Sequence, residues 1–167
     1  MSFSRRTAQL LHEEHQATIA VIESLDQLLE KSRKKAPNAA DPSVAKTLNA
    51  TGNAIEEEVS NHFEFEENEL FTRLEDMGDV GIGTHLREEH RTLLPLGKSV
   101  AEKARDAMAN GFTDETWTEF RTVSAELIER MFAHIQKEEM ALLPALEDLL
   151  DAETDMEIST AYAESHG

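Results

Sequence analysis

A histidine followed four positions later by a glutamate occurs twice in this chain, about seventy residues apart. The first copy is NHFEFEENELFTRLED around His62, and the second is AHIQKEEMALLPALED around His134. Each copy is preceded by a further histidine in a similar setting, LLHEEHQ at His15 and HLREEHR at His90. Each half of the chain therefore offers one histidine and then a His-x-x-x-Glu pair. The repeat gives six candidate metal ligands: His15, His62, Glu66, His90, His134 and Glu138.

Composition favours a helical fold. The 167 residues fit one domain that is long enough to bury a proper core. Aromatic residues make up only 5% of the chain, and it contains 7 glycines and 4 prolines. Ala, Leu, Glu and Lys, which favour helices, dominate the periodic stretches. We therefore predict an all-α domain.

Charge and cysteine content exclude several classes of function. The formal net charge of -18 repels polyanions, so we expect no nucleic-acid partner and no anionic membrane partner. The chain has no cysteine, which excludes disulfides, thiolate metal sites and iron–sulfur clusters. No apolar run approaches the length of a membrane span or of a signal-peptide core. The expectation is a soluble cytoplasmic protein, and the sequence does not identify a protein partner.

Hydrophobic periodicity predicts four long helices, separated by residues that typically end or begin a helix. Pro37 ends the first helix, and Asp41 followed by Pro42 is a good start for the second. Gly111 ends the third helix, and the fourth begins at Thr113 or Asp114. The predicted helices cover about 4–34, 42–77, 84–110 and 114–149.

The four predicted helices favour an antiparallel up-down-up-down four-helix bundle, because short connections make sequential helices neighbours. We assign residues 1–150 to this bundle. Residues 151–167 are acidic and weakly patterned, and we expect a short C-terminal extension that is either a short helix or a loose tail.

The predicted bundle brings the six candidate ligands to one level. With a rise of about 1.5 Å per residue, antiparallel packing places all six within a slab on the order of 10 Å thick. Residues four apart in a helix differ by about 40° in direction, so each histidine and its glutamate face the same way. Both glutamates interrupt leucine-rich stripes that contain no lysine or arginine. A buried carboxylate costs several kcal/mol unless a positive charge accompanies it.

Oxygen and nitrogen donors of this kind suit iron, with manganese or zinc as competitors. Carboxylates shared between two ions would hold those ions close together. Three protein ligands per ion would leave coordination positions free for a small molecule. We therefore predict a centre of two iron ions that binds a small molecule.

Each candidate also has an ordinary structural interpretation. A single histidine on an apolar stripe is often a hydrogen-bonded core residue, and Glu66 and Glu138 belong to acidic pairs that water can solvate. Glu139 competes with Glu138 for the bridging role. His12 is a possible extra ligand or outer partner, and His85 points about 140° away from His90, which favours the surface or an outer position. Seven other glutamates are expected on solvated faces: Glu13, Glu14, Glu56, Glu57, Glu58, Glu88 and Glu89. Replacing Glu67 by Gln should change little.

These motifs resemble those of the hemerythrin-like family, also called the HHE cation-binding domain. The resemblance rests on His15, the HFEFEE segment at His62, the EEH segment that ends at His90, and HIQKEE at His134 followed by LLPAL. It covers the chain to about residue 150. It implies a four-helix bundle with an oxo- or hydroxo-bridged di-iron centre, in which Glu66 and Glu138 are the bridging carboxylates.

The chain departs from the oxygen-carrying members at two places. Those carriers have a second histidine on the third helix, where this chain has Leu86. They also bridge with an aspartate at the position of Glu139, whereas Glu138 matches the hemerythrin-like relatives. Having fewer histidines predicts a more open or more carboxylate-rich site.

Three functions follow as hypotheses. The first is a non-haem di-iron protein that binds O2, NO or iron itself for sensing, storage or stress defence. The second is a di-iron enzyme that acts on peroxide or oxygen, which ranks lower because Tyr162, the single tyrosine, lies in the predicted tail and no proton relay is evident. The third is a metal-free helical interaction module.

Overall fold

Every regular element in the described part of the chain is a helix. The computed structural model describes residues 3–166, except for the side chains of residues 59, 60 and 166, so any role of His166 lies outside the description. No strand occurs in 3–166, and the all-α prediction is confirmed. We number the helices α1 (Arg6–Lys31), α2 (42–76), α3 (Gly81–Asn110), α4 (114–149) and α5 (Ala152–His166).

Several helix ends lie where the sequence indicates, but α1 ends at Lys31 and not at about residue 34, and α3 begins at Gly81 and not at about residue 84. Asp41 accepts a hydrogen bond from the Ser43 N–H at 2.9 Å, and Pro42 occupies the first turn of α2. Gly111 follows α3 with a φ of 77°, a conformation that costs glycine little. Thr113 and Thr116 form a reciprocal cap at the start of α4.

Helices α2 and α4 each contain π-helical turns at the level of the candidate ligands. In α2 these turns are Glu57–His62 and Glu66–Phe71, joined by Phe63–Phe65. In α4 the turn is Glu138–Leu142, directly after the α-helical part Asp114–Lys137. A π turn holds one more residue than an α turn and so re-aims the side chains around it, and such turns are frequent at functional sites.

The contacts between helices show two pairs that run in opposite directions. Near the start of α1, Ser4 donates a hydrogen bond to Glu147 of α4 at 2.8 Å, while Trp117 of α4 donates to the Ser32 carbonyl beyond the end of α1 at 2.9 Å. Likewise Arg87, near the start of α3, pairs with Glu75 near the end of α2. Arg105, near the end of α3, pairs with Glu56 in the first half of α2. Helix α1 also packs on α2, and α3 packs on α4. The complete up-down-up-down topology remains a prediction.

The hydrophobic core consists of two clusters with the candidate ligands between them. The first cluster contains Leu25, Phe120 and Met131, and the second contains Leu11 and Leu142. Burying a leucine or phenylalanine side chain stabilises the fold by about 1.5–3 kcal/mol. The two clusters therefore hold the helices firmly above and below the polar level.

The C-terminal extension, which we predicted to be a short helix or a loose tail, forms the helix α5. Ile158 and Tyr162 are buried in the second cluster. Asp155 accepts hydrogen bonds from the backbone N–H groups of Arg6 and Thr7, both at 2.9 Å. Because Arg5 offers no side-chain cap to α1, a residue far away in the chain caps this helix instead.

Candidate metal centre

The structure brings all six sequence-predicted ligands together in the interior. Each of them is at most 3% exposed. They form two overlapping groups, and within each group the candidate donor atoms lie within 4.8 Å of one another. The first group is His15, His62, Glu66 and Glu138, and the second is Glu66, His90 and His134.

Glu66 lies between one histidine of each half of the chain. Its Oε2 is 3.4 Å from Nε2 of His62, which precedes it by one turn of α2. Its Oε1 is 3.3 Å from Nε2 of His90 on α3. The two oxygens therefore face two different imidazoles, as a carboxylate shared by two cations would.

Glu138 has the matching position on the other side. Its Oε1 is 3.1 Å from Nε2 of His134 and 3.4 Å from Nε2 of His15. The two glutamates thus each connect a histidine of the first half with one of the second half. The arrangement defines two positions, one beside His15 and His62 and the other beside His90 and His134.

The chemistry of this donor set fits divalent cations. Both carboxylate oxygens of Glu66, both of Glu138 and Nε2 of His15 are buried without a hydrogen-bond partner in the described residues. Buried polar groups are nearly always paired, and an unpaired buried carboxylate costs several kcal/mol. Cations between the oxygens and nitrogens would satisfy all of these atoms at once.

Three of the four histidines have a carboxylate at the nitrogen that faces away from the centre. The distances from Nδ1 are 2.8 Å to Glu139 for His15, 3.2 Å to Glu67 for His90, and 2.8 Å to Glu89 for His134. A carboxylate there holds the proton on Nδ1, which leaves the Nε2 lone pair directed inward. Such outer carboxylates also orient the ring and make the imidazole a better ligand.

His62 is held differently. Its Nδ1 has no hydrogen-bond partner in the described residues, and Oε1 of Glu58 lies 3.8 Å from its Nε2. Burial lowers the pKa of His62, but the nearby carboxylates of Glu58 and Glu66 outweigh it and raise the pKa to about 10. For Glu66, burial raises the pKa, yet the neighbouring imidazoles of His62 and His90 bring it well below its usual value. This part of the interior therefore favours positive charge.

Four glutamates that we expected to be solvated or inconsequential are buried or make contacts near the candidate ligands, and one of them is Glu14, which accepts a hydrogen bond from Tyr162. Glu58 is buried, Glu67 contacts His90, and Glu89 contacts both His134 and Lys137. The prediction of solvated faces is wrong for Glu14, Glu58 and Glu89, and the contact of Glu67 with His90 removes the basis for expecting that Glu67→Gln changes little. The spacing could have indicated the inward position of Glu58, because Glu58 precedes His62 by the same four residues that separate His62 from Glu66.

The electrostatics at Glu89 fit its role as an outer carboxylate. The hydrogen bond from His134 lowers its pKa to about 2, assisted by Lys137 and opposed by burial. Burial lowers the pKa of His134, and Glu89 opposes that shift only in part. A neutral His134 with its proton on Nδ1 is the form that can bind a metal through Nε2.

The three additional candidates lie outside both groups of donors. Glu139 faces His12 and His15 and leaves the inward position to Glu138. His12 pairs with Glu139, and its side chain is partly exposed. His85 is exposed and lies 3.5 Å from Oε2 of Glu89.

Tyr162 lies closer to the centre than its place near the end of the chain indicated. Its hydroxyl donates a hydrogen bond to Oε2 of Glu14 at 2.5 Å. The donor atoms of Glu14, Glu58 and His62 in turn lie within 4.8 Å of one another. Burial raises the pKa of Tyr162, and Glu14 raises it further. Tyr162 lies on a helix that folds back onto α1, so its place in the predicted tail does not keep it away from the candidate ligands.

A surface cavity of about 640 Å³ lies between α2 and α3 and borders His90. His90 contributes to its lining together with Phe63, Glu67, Arg91 and Lys98. The Phe63 ring stacks on the His90 imidazole with ring centres 3.8 Å apart. The side of His90 where Nδ1 faces Glu67 therefore borders an opening at the protein surface.

Buried histidines and glutamates of this kind, carried on helices, define the chain as a helical cation-binding protein. The family model of the hemerythrin HHE cation-binding domain matches residues 6–156. The chain therefore belongs to this family, and the resemblance that we identified in the sequence is confirmed. No curated protein matches the chain. Within residues 3–166 no helix combines the length and the apolar character needed to cross a membrane.

Proposed function

We propose that this protein binds two iron ions in a carboxylate-bridged centre and uses them to bind a small molecule such as O2 or NO. The observation that carries this proposal is the position of Glu66 and Glu138. Each glutamate contacts a histidine of both halves, and neither has a hydrogen-bond partner for its oxygens in the described residues. Such a centre would serve sensing, storage or stress defence.

The distances between the donor atoms support the ligand assignment. His15 and His62 would hold one ion, His90 and His134 the other, and Glu66 and Glu138 would be shared. The scaffold would be an up-down-up-down four-helix bundle of α1 to α4, comprising residues 1–150, with 151–167 as an extension. The proposal names iron because mixed oxygen and nitrogen donors suit it, with manganese and zinc as competitors.

The centre would supply a Lewis-acidic or redox-active position for the small molecule, and the chain supplies its surroundings. Four histidines and two shared carboxylates do not fill two six-coordinate ions, so positions stay free. The cavity that reaches His90 supports access from solvent. Glu67, Glu89 and Glu139 would orient the imidazoles and hold their Nδ1 protons.

An enzyme that acts on peroxide or oxygen is the second candidate, and one observation favours it. Tyr162 and Glu14 form a partly buried hydrogen bond, and Glu14 lies next to Glu58 and His62. A hydroxyl group in this position can hold or move a proton near the centre. The absence of an evident proton relay was the argument against this candidate, and the position of Tyr162 weakens that argument.

Metal analysis of iron-replete protein tests the proposal. We expect two iron ions per chain, and a content well below one per chain contradicts the metal centre and supports a metal-free interaction module. Visible spectra during anaerobic reduction and oxygen exposure then separate the two candidates. A stable and reversible oxygen-dependent band supports ligand binding, whereas rapid turnover of peroxide supports catalysis.

A further inference from the structure

Glu58 is the third glutamate in the interior of the ligand level. It lies on α2 four residues before His62, within the π turn Glu57–His62, and it is 2% exposed. Glu66 follows His62 by the same interval. Since residues four apart share one face of a helix, Glu58, His62 and Glu66 form a single line of donors.

The two oxygens of Glu58 have different surroundings. Oε2 accepts a hydrogen bond from the Thr18 hydroxyl at 3.2 Å. Oε1 is buried without a hydrogen-bond partner in the described residues and lies 3.8 Å from Nε2 of His62. No lysine or arginine of residues 3–166 forms an ion pair with this carboxylate in the structure. The unpaired oxygen is therefore directed at the nitrogen that His62 presents to the first metal position.

We propose that Glu58 is a further metal ligand and that it binds the same ion as His15 and His62. This inference rests on the proposed di-iron function. Donor atoms about 2.1 Å from one ion lie roughly 3.0–3.5 Å apart in octahedral or tetrahedral geometry. The Nε2 of His62 is 3.4 Å from Glu66 Oε2 and 3.8 Å from Glu58 Oε1. Glu58 shares a group of donors within 4.8 Å with Glu14 and His62, so binding to the ion beside His15 and His62 would require its side chain to move toward Glu66.

The second metal position has no equivalent of Glu58. The residue four before His134 is Arg130, which is exposed and pairs with Glu126. The Glu-x-x-x-His-x-x-x-Glu line therefore occurs on α2 and not on α4. The ion beside His15 and His62 then has the more complete set of protein ligands. The ion beside His90 and His134 then keeps the free position, and His90 also borders the surface cavity.

The variant Glu58→Gln tests this ligand, with Glu64→Gln as the control. Glu64 is an exposed glutamate on the same helix. Titration with ferrous iron should show that Glu58→Gln weakens one of the two sites, by roughly 10–100-fold or more, since loss of an outer partner alone has that effect. Mössbauer spectra of 57Fe-loaded protein should show one altered iron doublet. Unchanged affinity and two unchanged doublets overturn the proposal.

Thermal unfolding with and without metal separates a ligand from a purely structural residue. We expect Glu58→Gln to leave the Tm of the metal-free protein close to that of the parent chain while reducing the rise in Tm on metal binding. An equal fall of Tm in both forms means that Glu58 only packs, and it overturns the inference. A parent chain that binds no metal overturns the proposed function itself, whereas a parent with two irons and an unaffected variant overturns only the role of Glu58.

The position of the external ligand has a test of its own. Nitric oxide added to the ferrous parent protein should alter the doublet that Glu58→Gln leaves unchanged. Alteration of the Glu58-sensitive doublet instead contradicts the assignment of the free position to the His90 and His134 ion.

Discussion

The Nε2 atoms of His90 and His134 lie 3.2 Å apart in the interior, while the Nδ1 atom of each ring faces a carboxylate. The carboxylates hold the protons on Nδ1, so two lone pairs point toward the same small space. Two buried acceptors in contact are unfavourable without a positive charge between or beside them. This pair of nitrogens therefore supports the proposed cation at the second position.

Glu66→Ala should remove most of the bound metal, because the proposal has this carboxylate shared by both ions. We expect the iron content, measured by inductively coupled plasma mass spectrometry, to fall below one ion per chain. The rise in Tm on metal binding should largely vanish, since saturation at about a thousand times Kd contributes about 4 kcal/mol. Glu64→Ala, at an exposed position on α2, should retain the parent metal content. Equal metal loss in the two variants would contradict the assignment.

Glu89→Gln should weaken metal binding without removing any direct ligand. The carboxylate holds the Nδ1 proton of His134 at 2.8 Å, and loss of such a partner typically lowers metal affinity 10–100-fold. Competition with a chelator of known affinity measures the change. The neighbouring Glu88 is exposed, and Glu88→Gln should match the parent protein. Matching affinities for all three proteins would show that Glu89 does not support the centre.

Asp155→Ala should destabilise the start of α1 because the carboxylate caps two backbone N–H groups there. Loss of a helix cap typically costs about 0.5–2 kcal/mol, which urea unfolding of the metal-free protein can resolve. Asp148→Ala, at an exposed position, should have little effect. An unchanged unfolding midpoint in Asp155→Ala would mean that α5 does not stabilise α1.

The same carboxylate predicts a pH dependence. Burial raises the pKa of Asp155, but the hydrogen bonds from Thr7 and Arg6 outweigh it and hold the pKa below its usual value. The stabilisation is then complete above the unfolded pKa of about 3.9 and is lost as the pH falls through the lower folded value. The difference in unfolding free energy between the parent and Asp155→Asn should therefore shrink below about pH 4. A difference that stays constant down to pH 2 would contradict this linkage.

Tyr162→Phe should distinguish the two candidate functions. The change removes the hydrogen bond to Glu14, and loss of a bond to a carboxylate typically costs about 1.5–3 kcal/mol. If the protein only binds a small molecule, the oxygen-dependent band should keep its intensity and reversibility. If the protein turns over peroxide with the help of Tyr162, the rate should fall while the iron content stays at the parent value. Glu14→Gln, which keeps a hydrogen-bond acceptor for Tyr162, is the matched control.

Helical periodicity predicted which residues of each helix face inward. Particular residues show where periodicity alone was not sufficient. The four-residue spacing of His62 and Glu66 placed both on one inward face, and the same spacing worked for His134 and Glu138. Glu139 was ambiguous, because one position along a helix changes the direction by about 100° and both directions bordered the stripe. The structure turns Glu139 toward His12 and His15 and leaves Glu138 in the interior.

The misassigned glutamates have a common physical cause. The solvent exposure of Glu58, Glu67 and Glu89 depends on which side chains the neighbouring helix places at the same level. Periodicity within one helix gives no information about those side chains. Tyr162 is the clearest case, since its contact with Glu14 depends on α5 folding back onto α1 across nearly the whole chain length. The π turns add to this, because they change the direction of the side chains that follow them.

The order of residues by itself determined that the chain is helical, where several of its helices begin or end, and that six histidines and glutamates face inward. These properties depend on local propensity, capping and a period of 3.6 residues, all of which lie within short stretches of sequence. The tertiary structure decided which carboxylate faces which imidazole, which glutamates are buried, and how α5 covers α1. Those outcomes depend on the packing of helices that are distant in the chain, where shifts of an ångström decide whether an atom meets water, a proton or a metal ion.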